Sequence, residues 1–96
     1  MNNYVCLEAT ISALDTVRYT PAGIPILGLT LEHASEQEEA QVQRKCRFTI
    51  EAKIVGAAAG QTFHIGDTVR CEGFLNVRNP RYPKLQLHIQ NIEIIE

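Results

Sequence analysis

The stretch TVRCEGFLNVRNPRYPKLQLHIQNIEII, residues 68–95, decides the fold of this chain. Apolar and polar residues alternate on both sides of a basic centre, which predicts two β-strands and a connection between them. Gly73 lies inside the first strand and predicts a bulge or a tight barrel bend. The apolar parity changes in the second strand, so we expect a register break around Gln90 and Asn91. The residues that this alternation turns inward are Val69, Cys71, Leu75, Val77, Leu85, Leu87 and Ile89.

The basic centre, Val77 to Lys84, is predicted to be a loop because it contains two prolines and an Asn-Pro step. It also carries three cations and a tyrosine, namely Arg78, Arg81, Lys84 and Tyr82. A short hairpin connection does not require these residue types, so they predict a surface that contacts a ligand. The alternative is a tip whose polar side chains only keep it solvated.

Three further segments alternate with the same period: YVCLEATISAL (4–14), ILGLTLEH (26–33) and RKCRFTIEAKIVG (44–56). In the last of these, Phe48 shares the apolar parity of Ile50 and Ile54, which predicts a core position. Phe74 is also expected in the core if the bulge at Gly73 turns it inward. The opposite parity of the 44–56 segment carries Lys45, Arg47, Thr49, Glu51 and Lys53.

The connections contain no amphipathic helix. DTVRYTPAGIP (15–25) is predicted to be a long loop, and the acidic ASEQEEAQVQ (34–43) a mobile loop that does not line a nucleic-acid surface. GAAAGQTFHIGD (56–67) has room for no more than a turn of helix. Five strands in 96 residues predict an all-β fold, a single five-stranded OB-fold barrel spanning residues 1–96.

The formal charge of −2 and the isoelectric point near 5.9 do not by themselves indicate a nucleic-acid-binding protein. The cations, however, are concentrated: every lysine and arginine except Arg18 lies between Arg44 and Lys84, whereas residues 1–43 are acidic. Such asymmetry can build a local basic surface on a protein of low net charge. The alternative is an ordinary solvated mixture of charges.

In an OB barrel, the first loop, the third strand and the last hairpin face the same ligand. Single-stranded nucleic acid requires cations that follow its phosphates and flat side chains on which its bases stack. Tyr82 and Tyr19 are the stacking candidates, although Tyr82 could be a tip residue without a role and Tyr19 could pack on Pro21. The candidate nucleic-acid-binding residues are Arg18, Tyr19, Arg44, Lys45, Arg47, Lys53, Arg78, Arg81, Tyr82 and Lys84.

Catalysis, metals and cofactors are not predicted. The three histidines have no metal-ligand spacing, and no Walker loop or G-x-S-x-G motif is present. Cys6, Cys46 and Cys71 form no C-x-x-C pair and are expected to be small apolar fillers. No segment is apolar over a membrane-spanning length, and the first residues lack a secretion signal, so we expect no membrane partner and a cytoplasmic protein.

Four motifs resemble the PriB (primosomal replication protein N) family, small bacterial relatives of single-stranded-DNA-binding protein. They are TPAGIPILGLTLEH (20–33), QEEA (37–40), GDTVRCEGFL (66–75) and KLQLHIQNIEII (84–95). The resemblance implies a non-enzymatic OB-fold homodimer that acts with single-stranded DNA, the PriA helicase and other primosome proteins. Lys84 matches a basic position of the family's DNA-binding face, as does Arg44.

The chain also departs from the family pattern. Some members carry a tryptophan on the third strand, whereas this chain has no tryptophan and places Arg47 or Phe48 there. Weaker stacking and a greater dependence on phosphate contacts are therefore expected.

Two functions stay open from the sequence: a single-stranded-DNA-binding accessory of replication restart, or an adaptor whose OB surface contacts other proteins and has weak or no DNA affinity. We further expect the homodimer to form partly through the first strand, by edge pairing or by sheet packing, because this would protect an edge and enlarge a small core.

Overall fold

The computed structural model describes residues 1–96 and consists almost entirely of strands. The strands are β1 (Val5–Leu14), β2 (Arg18–Tyr19), β3 (Pro25–Glu39), β4 (Val42–Val55), β5 (Thr68–Asn79) and β6 (Tyr82–Ile94). A single turn of 3-10 helix, Ala57–Gly60, connects β4 to β5, as expected for so short a connection. No helix here has the length and apolar character needed to cross a membrane.

The sheet closes on itself. Its strand order is β1-β5-β6-β4-β3-β2, and β1 also pairs with β3, which joins the two sides into a barrel. β4 and β6 run parallel and the other pairs are antiparallel. Five long strands therefore form the predicted OB barrel, and the two-residue β2 is an addition inside the first predicted loop.

The alternating residues fill the barrel as the period of two requires. The inward prediction for Leu85 is wrong, because the β5–β6 hairpin extends past the core there and 50% of Leu85 is exposed. The largest fully buried side chains are Ile11, Leu31, Ile54, Val69, Cys71 and Leu87. Burial raises the pKa of the Cys71 thiol to about 12, so this cysteine is the apolar filler expected for it. Cys6, in contrast, is exposed, and the same expectation is wrong there. Phe63, which the sequence did not assign to the core, is also buried.

The predicted register break lies in β6. Glu72 is paired with Asn91 and Gly73 with Ile89, so Gln90 is the extra residue. A side chain at position 73 would collide with the backbone carbonyl of His88, which explains the glycine at this close approach. Because the extra residue belongs to β6 and not to β5, the alternation of β5 continues through the bend.

Both phenylalanine predictions are wrong for identifiable reasons. Phe74 keeps its outward parity, since β5 is not bulged, and its ring stacks on His88 outside the barrel. Phe48 has the inward parity, but β4 has left the barrel by that point, and 42% of this residue is exposed. It stacks on His33 of the neighbouring strand, with ring centroids 4.9 Å apart.

The predicted mobile loop 34–43 is instead a β-hairpin. β3 and β4 pair without interruption out to Glu39 and Val42, and Ala40 and Gln41 form a two-residue turn with φ of 51° and 65°. Residues 32–49, called the arm below, extend past the last pair that packs in the core, Leu31 and Ile50. With the arm, the molecule measures 50 × 33 × 22 Å along its principal axes.

The predicted loop between Val77 and Lys84 is also mostly strand. β5 continues to Asn79 and β6 begins at Tyr82, which leaves Pro80 and Arg81 as the turn. The carboxamide oxygen of Asn79 accepts a hydrogen bond from the Arg81 backbone N–H at 2.9 Å, an Asx-type turn. The basic side chains are therefore held on a regular hairpin.

Candidate nucleic-acid interface

The outer face of the barrel carries a groove over β3, β4 and β6. It consists of two adjoining depressions of about 310 and 360 Å³, which share Glu51 and Arg78. The first is lined by residues of β2, β3, β4, β5 and β6 together with Asp15, and the second by the β5–β6 hairpin. We call the two depressions together the groove.

Half of the predicted binding residues converge on this groove. Those that line it are Arg18, Lys53, Arg78, Tyr82 and Lys84. They come from β2, β4, β5 and β6, and the parallel pairing of β4 with β6 brings these strands into one stretch of sheet. Four of the five are cations, and the fifth, Tyr82, has 72% of its surface exposed.

The other predicted residues lie elsewhere. Arg44, Lys45 and Arg47 are on the arm, where Lys45 lies opposite Glu36 in the strand register. Arg47 lines a separate cleft of about 640 Å³, together with Glu8 and Glu32. Arg81 is in the turn of the β5–β6 hairpin, and Tyr19 is an exposed residue of β2 opposite Pro25. These five do not line the groove.

Two carboxylates also lie in the groove, and sequence reasoning did not single them out. The Nζ of Lys84 is 3.5 Å from Oε1 of Glu51. The Asp15 carboxylate fills the space above Gly28 that any larger residue on β3 would occupy. The parity of β4, which places Glu51 on the same face as Lys53, was the available signal for the first of them.

A stacked pair of rings lies beside the groove and was also missed. The rings of Phe74 and His88 are 4.7 Å apart between centroids, with 17° between their planes. His88 is the register partner of Lys53 on β4. Desolvation, reinforced by the nearby Lys53 ammonium, lowers the pKa of His88, and its buried Nε2 has no hydrogen-bond partner. Both effects favour the neutral imidazole.

Across β1, β5 and β6, away from the groove, the surface is rich in carboxylates. Arg70 donates hydrogen bonds to Glu8 from Nε at 3.1 Å and from Nη2 at 2.9 Å, and its Nη1 is 3.6 Å from Glu93. The Tyr4 hydroxyl donates to Glu72 at 2.7 Å, and this bond raises the pKa of the phenol to about 12. Carboxylates repel phosphate, so this surface does not favour a nucleic acid.

Comparison with known proteins assigns the chain to a family. A family model described as "another single-strand binding protein family" matches residues 3–91. The replication restart protein PriB of Neisseria meningitidis serogroup B is 42% identical over 93 residues, which cover 96% of this chain and 93% of that protein. The chain belongs to the PriB family. PriB of Nitrosomonas europaea is 37% identical, covering 97% of this chain and 88% of its own length.

Solved structures give the same result. PriB of Ralstonia solanacearum superposes with a TM-score of 0.88 at 34% identity and covers 100% of both chains. The wild-type single-stranded DNA binding protein of Thermus aquaticus superposes with a TM-score of 0.77 at 26% identity. That match covers 99% of this chain and 50% of the Thermus chain. The resemblance drawn from the four sequence motifs is thereby confirmed, as is the OB fold.

Proposed function

We propose that this protein binds single-stranded DNA in the groove and serves as a non-enzymatic accessory of replication restart. The observation that carries the proposal is the convergence of Arg18, Lys53 and Arg78 beside Tyr82 on one face of the barrel. Its relatives named replication restart protein PriB support the cellular role. On the same basis we propose that the PriA helicase and other primosome proteins are its partners, in the cytoplasm.

The groove supplies both kinds of contact that a single strand needs. Its cations can neutralise phosphates and release condensed counterions, a contribution that does not depend on base sequence. The exposed ring of Tyr82 at the hairpin end offers a stacking surface, and stacking tolerates every base because each has a flat face. Together these contacts give binding with little sequence preference and a steep dependence on salt.

We also propose a homodimer formed through β1. From Val5 to Thr10 this strand pairs with β5, but its pairing with β3 begins only at Thr10. The other edge of Val5–Ala9 therefore has no neighbouring strand. An open edge of this kind is a template for another chain, and a second copy would cover it symmetrically.

An adaptor that contacts proteins and not DNA is the second candidate. It is favoured by the two carboxylates inside the groove, Asp15 and Glu51, which oppose phosphate. The two functions differ in the salt dependence of oligonucleotide binding. Phosphate contacts release counterions and give a steep slope of log affinity against log salt, whereas an adaptor without DNA affinity gives none.

The decisive experiment compares two triple variants with the same change of charge. Changing Arg18, Lys53 and Arg78 to alanine should flatten the slope of log affinity against log salt by roughly two, since each single-strand phosphate contact contributes about 0.7. The control changes three cations of the arm to alanine, namely Arg44, Lys45 and Arg47. This variant should flatten the salt slope less than the groove variant does. Fluorescence anisotropy of a labelled oligonucleotide at several salt concentrations measures both.

The proposal fails if the parent chain shows no salt-dependent binding of the oligonucleotide. The groove is the wrong location if the arm variant loses more affinity and slope than the groove variant. Thermal melting of each variant confirms that its barrel is intact.

A further inference from the structure

Glu51 occupies the middle of the groove. It lines both depressions, on β4 and two residues before Lys53, so a strand that follows the groove must pass it. Its carboxylate is 3.5 Å from the ammonium of Lys84, and the two side chains retain 33% and 66% of their surface. The groove therefore already contains an anion where a phosphate would approach.

The pairing follows from the topology of the barrel. β4 and β6 are parallel neighbours, with Glu51 opposite Gln86, and Lys84 lies two residues before Gln86 on the same strand. Outward parity places Glu51, Gln86 and Lys84 on one face. The contact thus joins strand β4 to the base of the hairpin that carries Arg78 and Tyr82.

Asp15, the other carboxylate of the groove, is held differently. Its backbone N–H donates to the Gly28 carbonyl at 2.9 Å, and its side chain fills the space above Gly28. No groove cation forms an ion pair with it. Glu51 is therefore the carboxylate that engages a phosphate-binding side chain.

We propose that Glu51 is an internal competitor of phosphate that restrains DNA binding by occupying Lys84. This inference rests on the proposed function and concerns the same groove. In the parent chain the Glu51 carboxylate withholds the Lys84 ammonium from an entering phosphate, so Lys84 contributes less to counterion release than a free cation would. Exposed ion pairs are weak, so the competition tunes affinity and does not abolish it.

The first test removes the competing charge. Glu51→Gln keeps the shape of the side chain and should strengthen binding of a labelled oligothymidylate roughly two- to tenfold at low salt, because one weak ion pair and one repulsion are removed. The slope of log affinity against log salt should become steeper by up to about 0.7, the contribution of one added phosphate contact. Glu93→Gln is the matched control: it makes the same change of net charge, but Glu93 pairs with Arg70 outside the groove.

The second test uses Lys84. In the parent chain, Lys84→Ala should change the salt slope by much less than about 0.7, whereas in the Glu51→Gln background it should reverse the gain in both affinity and slope. This second test remains informative even if Glu51→Gln affects folding, because the single Lys84 variant is interpreted without the Glu51 variant. A merely structural role of the pair would change melting temperature without changing the slope.

The outcomes separate the two proposals. If the parent chain binds with a steep salt slope and Glu51→Gln behaves like Glu93→Gln, the inference is overturned and the proposed function stands. A loss of the full slope of about 0.7 on Lys84→Ala in the parent chain also overturns it, since Lys84 would then be free for phosphate. If no variant binds the oligonucleotide, both proposals fall together.

Discussion

Gly73 shows how one residue makes the barrel possible. At the bend opposite Gln90, the backbone of β6 passes so close to β5 that a methyl group would meet the carbonyl group of His88 and the Cα of Ile89. The neighbouring Phe74 and His88 stack on the outer face of the same bend. A close backbone approach, and not a positive φ, is what requires glycine here.

Gly73→Ala should therefore destabilise the fold by roughly 1–3 kcal/mol, because a methyl group forced into packed backbone displaces both strands. Chemical denaturation monitored by circular dichroism measures this change. Gly60→Ala is the control, since a Cβ at that position meets nothing within 4 Å. Equal stability of the two variants would show that β5 and β6 are further apart than described.

Tyr82 is the residue on which base stacking depends. Tyr82→Ala should weaken oligonucleotide binding by ~1–3 kcal/mol and leave the salt slope nearly unchanged, because stacking releases few ions. Tyr82→Phe keeps the flat ring and should bind like the parent chain. If both variants bind like the parent chain in an anisotropy titration, the tyrosine is only a solvated residue of the tip.

At the scale of elements, the arm is a hairpin made mostly of polar residues. Its strands are held by the continuous backbone ladder and by the stacked rings of His33 and Phe48. The turn is its weak point, since Ala40 and Gln41 both have the positive φ that glycine and asparagine adopt most easily.

Gln41→Gly should stabilise the arm, because it removes the steric cost of a left-handed residue at the second turn position. Slower amide hydrogen exchange in residues 34–47 is the expected result, with exchange in the barrel unchanged. Gln43→Gly, which places glycine in the strand next to the turn, is the matched control and should accelerate exchange there. Faster exchange in the Gln41 variant would contradict the described turn.

At the scale of the whole molecule, the charges are divided between two surfaces. The groove collects Arg18, Lys53, Arg78 and Lys84, whereas the surface across β1, β5 and β6 carries Glu8, Glu72 and Glu93 around a single Arg70. A net charge of −2 is therefore compatible with a basic binding face.

The open edge of β1 predicts self-association. Light scattering at tens of micromolar should give twice the chain mass of 10.7 kDa, because a second β1 would pair with the edge of Val5–Leu7 that has no neighbouring strand. A monomer mass at that concentration would contradict a dimer formed through this edge.

The sequence by itself determined the barrel. Alternation in β1, β4, β5 and β6 reports burial within the barrel, so most of the inward residues and the register break at Gln90 were predictable from parity. Leu85, on the hairpin beyond the core, was not. The same parity placed Lys53 on the outer face. The inward residues, the register break and the outward position of Lys53 all follow from the alternation of neighbouring residues in a strand that packs on one core.

The tertiary structure alone decided the arm, the short turn of the β5–β6 hairpin and the composition of the groove. Residues 34–43 and 78–84 bury little apolar surface, so no hydrophobic period reports their pairing, which cross-strand backbone bonds provide. Phe48 was misplaced because parity does not show where a strand leaves the barrel. The contact of Glu51 with Lys84 joins residues 33 positions apart, and only the parallel pairing of β4 with β6 brings the two charges together.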